Sequence, residues 1–329
     1  MTATSTSTKA PISVIIHTKN SEKTLADTLL SVQWAKEIIV MDMHSTDTTV
    51  AIAKSYKAQI FYFDDVGYVE PARNAAISKA TQEWICIVDS DEVIPDLLAQ
   101  KLQALASNDA TADAYFIARK NRVFGGWLRS AGWWPDYQLR FFRKGSVVWS
   151  DAIHSSPAID GSVDYLPESE ELALDHNNYP TIESFIERLN RYTSHEVVTR
   201  LEKAAKQTTK SGKKGDLAPI TEQTLLTSWK NELFSRLFKL GGIDAGVRGV
   251  GVSWLQAMYE LVVQLKIWED QQKNSHEQSA QQTIKNQQEV IQFFSDFQKD
   301  ARYWIADCQV NHTSGLQQFI WRMRRKFRV

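Results

Sequence analysis

The sequence is poor in cysteine, in long apolar runs and in net charge. Two cysteines stand among 329 residues, Cys86 and Cys308, at no motif spacing. They form neither a disulfide framework nor a zinc site. A spanning helix needs about 18 or more consecutive apolar residues, and none occurs. The best approach, Val252 to Trp268, is interrupted by Gln256, Glu260, Gln264 and Lys266. Lys and Arg number 38 against 39 Asp and Glu, a formal charge of −1, so no net field draws the chain to nucleic acid. No glycine-rich loop follows the first apolar run, which argues against a dinucleotide fold and a P-loop. The start, "MTATSTSTKAP", is polar and lacks the apolar core of a secretion signal. Residues 1–10 are therefore expected to be a disordered leader, and the protein is expected in the cytoplasm.

What is present is a regular alternation. "ISVIIHTK" (Ile12–Lys19), "EIIVMDMH" (Glu37–His44), "AQIFYFD" (Ala58–Asp64) and "EWICIVDSDE" (Glu83–Glu92) read as strands. Between them lie helical stretches. One has Leu25, Leu29 and Val32 at helical spacing, another opens on the capping residues of "STDTT", and a third is lined by Ala72, Ala75, Ala76 and Ala80. Pro95 then suits the first turn of a fourth helix. Strands alternating with helices of this length predict an α/β fold with a mostly parallel, doubly wound sheet, helices on both faces. Continuous apolar runs fit strands covered on both sides. After Asn108 the pattern changes. "AYFIARKNRVF" and "YQLRFFRK" read as strands around the loop "GGWLRSAGWWPD". A long polar helix follows from Thr181, then a flexible basic link, "QTTKSGKKGDLAP", then helices to the end.

In open α/β sheets, ligands bind outside the carboxyl ends of the strands. Three such ends are polar here: His17, Thr18 and Asn20; Asp42, Ser45, Thr46 and Asp47; Asp89, Asp91 and Glu92. Carboxylates side by side at the end of a buried run repel, and their desolvation is costly. A divalent cation, magnesium or manganese, would offset that. Asp89 and Asp91 lie one residue apart and can share a hard cation with diphosphate oxygens and water, which would neutralise a departing diphosphate. Taken alone, a D-x-D pair is more often an acidic surface turn. Its place on a buried strand beside two other acid-bearing ends favours the cation.

The stretch from Ile12 to Lys54 and "PARNAAISKATQEWICIVDSDEVI" resemble glycosyltransferase family 2, with its GT-A fold. The Trp-rich "AGWWPDYQLRFFRKG", "LDHNNY" and the Gly-Gly-Ile-Asp segment resemble the lipopolysaccharide-core glucosyltransferase-like branch. The likeness covers most of Ile12 to Asp270. It implies a GT-A domain over 11–200, with a nucleotide-sugar half (about 11–110) and an acceptor half (about 111–200), then a helical region over 201–329. It places Thr18, Asn20, Glu22 and Asp42 on nucleotide contacts, Arg73 and Asn74 on the nucleotide or diphosphate, and Asp89 and Asp91 on the metal. Asp136 falls where a general base is expected. His154 and His176 fall on two later histidines, one of which approaches the metal or diphosphate; His154 is taken as the third metal ligand. Three positions depart from the family pattern: His44 stands for the usual small residue, Ser155 for the usual acid, and "NSE" for "NEE".

The implied reaction is inverting, metal-dependent transfer of a hexose. The donor is a nucleotide-diphosphate sugar, a uridine diphosphate sugar first of all; the acceptor is a glycan or lipid-linked glycan of the cell envelope. A carboxylate at Asp136 can take the proton of a sugar hydroxyl as the new bond forms; its ordinary reading is a turn residue paired with Arg140 or Arg143. Trp133 and Trp134 offer flat faces to an acceptor sugar, or simply pack the loop. Two rivals remain. "DSDEV" fits a D-x-D-x-V phosphatase with Asp89 as nucleophile, although about 80 residues precede it, and a non-catalytic glycan-binding module needs no base. The terminal "FIWRMRRKFRV" carries five cations and no acid, which favours an anionic membrane surface as partner and a peripheral place on the cytoplasmic membrane face.

Overall fold

The computed structural model describes residues 9–66, 69–149, 157–206, 217–272 and 280–327. The chain divides into two compact units, Met1–Trp127 with Trp133–Pro180, and Leu128–Gly132 with Thr181–Val329.

The first unit opens with four parallel strands, β1 (Ala10–Thr18), β2 (Ala35–Asp42), β3 (Gln59–Tyr62) and β4 (Trp84–Asp89). Helices α1 (Leu25–Ser31), α2 (Thr49–Ser55) and α3 (Glu70–Lys79) connect them. A two-residue strand β5 (Glu92–Val93) and helix α4 (Asp96–Ala104) follow. Next come β6 (Ala114–Ile117), β7 (Arg119–Val123), β8 (Gly126–Trp127), β9 (Gln138–Arg143), β10 (Val147–Val148), β11 (Ala158–Ile159), β12 (Val163–Tyr165) and β13 (Leu174–Tyr179). The main sheet has the order β12-β6-β9-β4-β1-β2-β3, and a smaller one the order β5-β13-β7-β8. Strand β9 runs antiparallel between β4 and β6. The result is the expected α/β architecture of GT-A type.

Alternation along the strands explains the layers. Val14 and Ile16 of β1 join a core with Leu25 and Leu29 of α1 and Leu98 and Leu102 of α4. Ile15 turns to the other face, where it meets Ala72 and Ala76 of α3 with Ile39, Met41, Ile85 and Ile87. Both faces are covered, so the strands have no polar side to show. Trp84 anchors the sheet's centre: its ring stacks on Phe141 at 4.6 Å and lies under the Arg143 guanidinium. The register sets Thr18 beside Asp42 and His17 beside Asp89 at one end.

Two expectations change. The single strand read over "AYFIARKNRVF" breaks at Ala118, with β6 in the main sheet and β7 in the small one. The polar run Arg119–Arg122 could not continue in a sheet buried on both faces without stranding its charges. The boundary expected near residue 200 falls instead at Pro180. Helix α5 (Ile182–Lys206) joins the helical unit because Val197 packs with Val263 and Ile267 of helix α7 (Gly246–Gln272).

The helical unit also contains α6 (Glu222–Phe234), α8 (Ala280–His312) and α9 (Gly315–Phe327). Leu233, Phe234 and Ala257 form its second core with Trp229, Phe297 and Trp304. Within the Gly-Gly-Ile-Asp turn, Gly242 approaches α7 so closely that a Cβ on Gly249 would lie 2.1 Å from its carbonyl oxygen. Most of the basic link, residues 207–216, lies outside the described residues. Phe141→Ala is expected to cost about 3–5 kcal/mol through the cavity it leaves against Trp84, read as a lowered urea midpoint with an unchanged slope. Val247→Ala, at a side chain 92% exposed, should stay within about 0.5 kcal/mol of the parent.

Candidate active site

The loops after β1 and β2 are latched together. Asp42 is wholly buried, and its carboxylate accepts from Thr18 Oγ1 at 2.9 Å and from the backbone and hydroxyl of Ser45. Asn20, at φ +49°, accepts the Thr46 N–H at 2.8 Å through Oδ1. Glu22 accepts the backbone and hydroxyl of Thr48. Thr18, Asn20, Glu22 and Asp42 are thus brought together, as expected, but much of their hydrogen bonding is spent building the rim. Asn74 is turned away from such a role: its amide makes a two-way bond to the backbone of Trp149, at 2.6 and 3.0 Å. Arg73 lies with its guanidinium 5.4 Å from the Trp149 ring centre and its Nε buried without a partner among the described residues.

The fourth strand end is organised by arginine. Arg140 of β9 is buried; its guanidinium binds both oxygens of Asp89 and donates to Glu92 Oε1 at 2.7 Å. Glu92, also fully buried, accepts the Asp89 N–H at 3.0 Å through its other oxygen. Arg119 lies 3.5 Å from Glu92 and donates to Asp136 Oδ2 from Nε and Nη2 at 2.9 and 2.5 Å. The two acids of the D-x-D pair are therefore not equivalent. Asp89 is held in a bidentate pair with Arg140. Ser90, between them, is tied to Ser21 and Thr28. Asp91 carries its Oδ1 3.6 Å from His176 Nε2.

Strand β13 delivers His176 there by pairing with β5, His176 opposite Glu92. Asn121 of β7, fully buried, joins the two halves of the site. Its Nδ2 donates to Asp136 Oδ2 at 2.9 Å and to the Trp133 carbonyl at 3.2 Å; its Oδ1 faces His176 Nδ1 at 2.7 Å and accepts from Asn178. An amide oxygen only accepts, so His176 Nδ1 is the protonated nitrogen. In the neutral ring, Nε2 then turns a lone pair toward the Asp91 carboxylate. A proton or a cation between them removes that repulsion, and a second group fixing the histidine tautomer is the usual arrangement around metal-ligating histidines. Asp91 and His176 could hold a divalent cation between them, and a diphosphate and water would have to complete its coordination. Among the described residues no group of three or more acid, histidine or cysteine side chains could hold an ion by itself. His154, the expected third ligand, lies outside the described residues.

Burial opposes ionisation of Asp89, but the Arg140 guanidinium, then Arg73 and Arg119, hold its carboxyl far below the ordinary 3.8. Burial likewise opposes ionisation of Asp136, and Arg119 with the bonds from Asn121 and Gln138 keeps its carboxyl low. Oδ2 is the anchored oxygen of Asp136. Oδ1 receives Gln138 at 3.0 Å, which leaves it a lone pair able to take a proton. Burial and the nearby Arg73 push His17 down to about 3, and neither ring nitrogen has a hydrogen-bond partner among the described residues. Trp133 and Trp134 are half-buried, edge-on to Tyr179 and Trp127.

Sequence reasoning missed Arg119, Asn121 and Arg140 as site residues and Glu92 as their partner. The readable signal was that Arg140 interrupts the apolar run of β9 and that the polar run Arg119–Arg122 directly follows an apolar strand. The phosphatase reading fails on Asp89, which sits on the fourth strand with both oxygens bound by Arg140 and is not free to attack phosphorus.

Arg140→Met is expected to destabilise the fold by about 3–5 kcal/mol, because Asp89 and Glu92 are left buried and uncompensated; a denaturation midpoint reads it, and adding Glu92→Gln should recover part of the loss. His17 binds a proton more weakly folded than unfolded. Its contribution is fully present above 6.5 and is lost as pH falls toward about 3, by roughly 1.4 kcal/mol per pH unit. His17→Gln should remove one proton's worth of that slope in stability measured against pH.

Residues 13–163 match the family model described as Glycosyl transferase family 2. An uncharacterized glycosyltransferase of Rickettsia felis is 27% identical over 243 residues, 70% of this chain and 81% of that protein. The lipopolysaccharide core biosynthesis glycosyltransferase LpsC of Rhizobium meliloti is 25% identical over 162 residues, 47% of this chain and 60% of its own length. Among solved structures, S. aureus TarS 1–349 aligns with 82% of this chain and 93% of its own, at 16% identity and a TM-score of 0.41. The chain is a glycosyltransferase whose residues 13–163 are similar to glycosyl transferase family 2.

Proposed function

We propose that the protein is an inverting, metal-dependent glycosyltransferase that moves a hexose from a nucleotide-diphosphate sugar, a uridine diphosphate sugar, to a hydroxyl of a glycan or lipid-linked glycan in cell-envelope synthesis. The observation that carries this reading is Asn121, whose single side chain bonds both the Asp136 carboxylate and the His176 ring beside Asp91. A base and a diphosphate-binding group are held in fixed relation by one buried amide.

In this reading the rim of Thr18, Asn20, Glu22 and Asp42 shapes the nucleotide pocket, and Arg73 meets diphosphate charge. Asp91 and His176 are the protein ligands of magnesium or manganese; Asp89 keeps Arg140 in place instead of taking the ion itself. Bound there, the cation supplies charge neutralisation to the diphosphate leaving group. Asp136 Oδ1 accepts the proton of the acceptor hydroxyl. The acceptor oxygen, so deprotonated, bonds the anomeric carbon from the face opposite the diphosphate, whose bond to that carbon breaks with its electron pair leaving on the diphosphate, so the configuration inverts. Trp133 and Trp134 offer ring faces to the acceptor sugar. The likeness to LpsC supports an envelope glycan as acceptor. A lipid-linked acceptor would set the enzyme at the cytoplasmic face of an anionic membrane.

Uridine diphosphate should raise the melting temperature with magnesium or manganese present and far less without either; a metal-independent shift would sink the cation's role, and silence with every nucleotide diphosphate would sink the donor. Asp136→Asn should cut turnover by about 10²–10⁴ while the nucleotide-dependent shift persists. Unchanged turnover would remove Asp136 from the chemistry.

A further inference from the structure

Helix α9 presents its faces the opposite way round from a helix packed on a globular core. It lies against α8 through Gln318 and Arg325, which share one side of the helix at i and i+7. Gln318 donates to the Val310 carbonyl at 3.0 Å, and Arg325 binds Asp307 at 2.6 Å. The outward stripe is apolar: Leu316, Phe319, Ile320, Met323 and Phe327 are 76, 60, 44, 40 and 59% exposed. At 100° per residue these five fall within about a third of the helix circumference. Arg322 and Lys326 then lie along one border of the stripe and Arg324 along the other. The helix contains no acid. Arg324 folds over Trp321 and Lys326 over Phe327, so their stems already lie along apolar surface with the charge at the edge.

We propose that α9 is a docking helix for an anionic lipid surface, lying in the plane of the interface with its apolar stripe at the headgroup–acyl boundary and Arg322, Arg324 and Lys326 on lipid phosphates. Thirteen residues rise only about 20 Å, and no helix among the described residues is long and apolar enough to cross a membrane. Charge decides between the occupants of such a face. A second copy would bring the same cations onto the same border, and like charges would repel; a phosphate-rich surface complements both borders at once. The inference does not depend on the glycosyl-transfer reading.

The full-length protein is tested for co-sedimentation with vesicles of phosphatidylcholine containing phosphatidylglycerol, and of phosphatidylcholine alone. Binding is expected to the first, roughly tenfold or more weaker to the second and at high salt. Phe319→Glu with Met323→Glu should abolish it. Arg322→Gln, Arg324→Gln and Lys326→Gln together should weaken it by roughly a hundredfold. All five side chains are exposed, so the circular dichroism and the melting temperature should be unchanged. Equal binding to neutral vesicles, no binding to either, or a dimer in light scattering that Phe319→Glu dissociates while vesicle binding persists would each overturn the proposal.

Discussion

Arg140 lies buried between Asp89 and Glu92, and the geometry of the site follows from that placement. Two carboxylates at one strand end would each resist burial and repel the other. One guanidinium, planar and forked, satisfies both at once. Arg119 extends the arrangement to Asp136, so three acids share a small space between two guanidiniums. A buried ion pair of this kind adds little net stability compared with a well-packed apolar core. What it provides here is position: it leaves Asp91 as the D-x-D acid that faces His176.

The main sheet and the small sheet each contribute what the other lacks. Strand β4 brings Asp89 and β9 brings Arg140, neighbours in the main sheet. The small sheet brings Asn121 on β7 and His176 on β13, paired in register. The break at Ala118 is what allows one short stretch of chain to serve both. On one side of it, β6 pairs with apolar β9; on the other, Arg119 and Asn121 turn their polar groups toward the acids. Asp136 on the loop before β9 then meets both, through side chains on a strand that precedes it by some fifteen residues.

The helical unit follows a different economy. One of its cores is mainly aliphatic and the other aromatic, and α5, α7, α8 and α9 all leave apolar side chains in the open, Trp254 and Trp268 on α7 and the outward stripe of α9 among them. The difference between them lies in the flanks. Helix α9 borders its stripe with cations and carries no acid, which gives its exposed face a definite electrostatic partner.

Much of the first unit was legible in the sequence, because local pattern decides it. Strands covered on both faces must be apolar throughout, and β1, β2 and β4 read that way directly. Polar residues at their ends announce the ligand-binding edge, and Asp89 and Asp91 could be picked out on that ground alone. The helix spacing after Thr181 was equally plain. Tertiary structure alone decided which acid of the D-x-D pair binds Arg140 and which faces His176, that Asn74 serves the backbone of Trp149, that α5 belongs with the helices, and that Asn121 links base and histidine. Each of these depends on which groups, distant along the chain, come within hydrogen-bonding or packing distance. A periodicity constrains one element's faces; it carries no information about the charge that a different element will set against them.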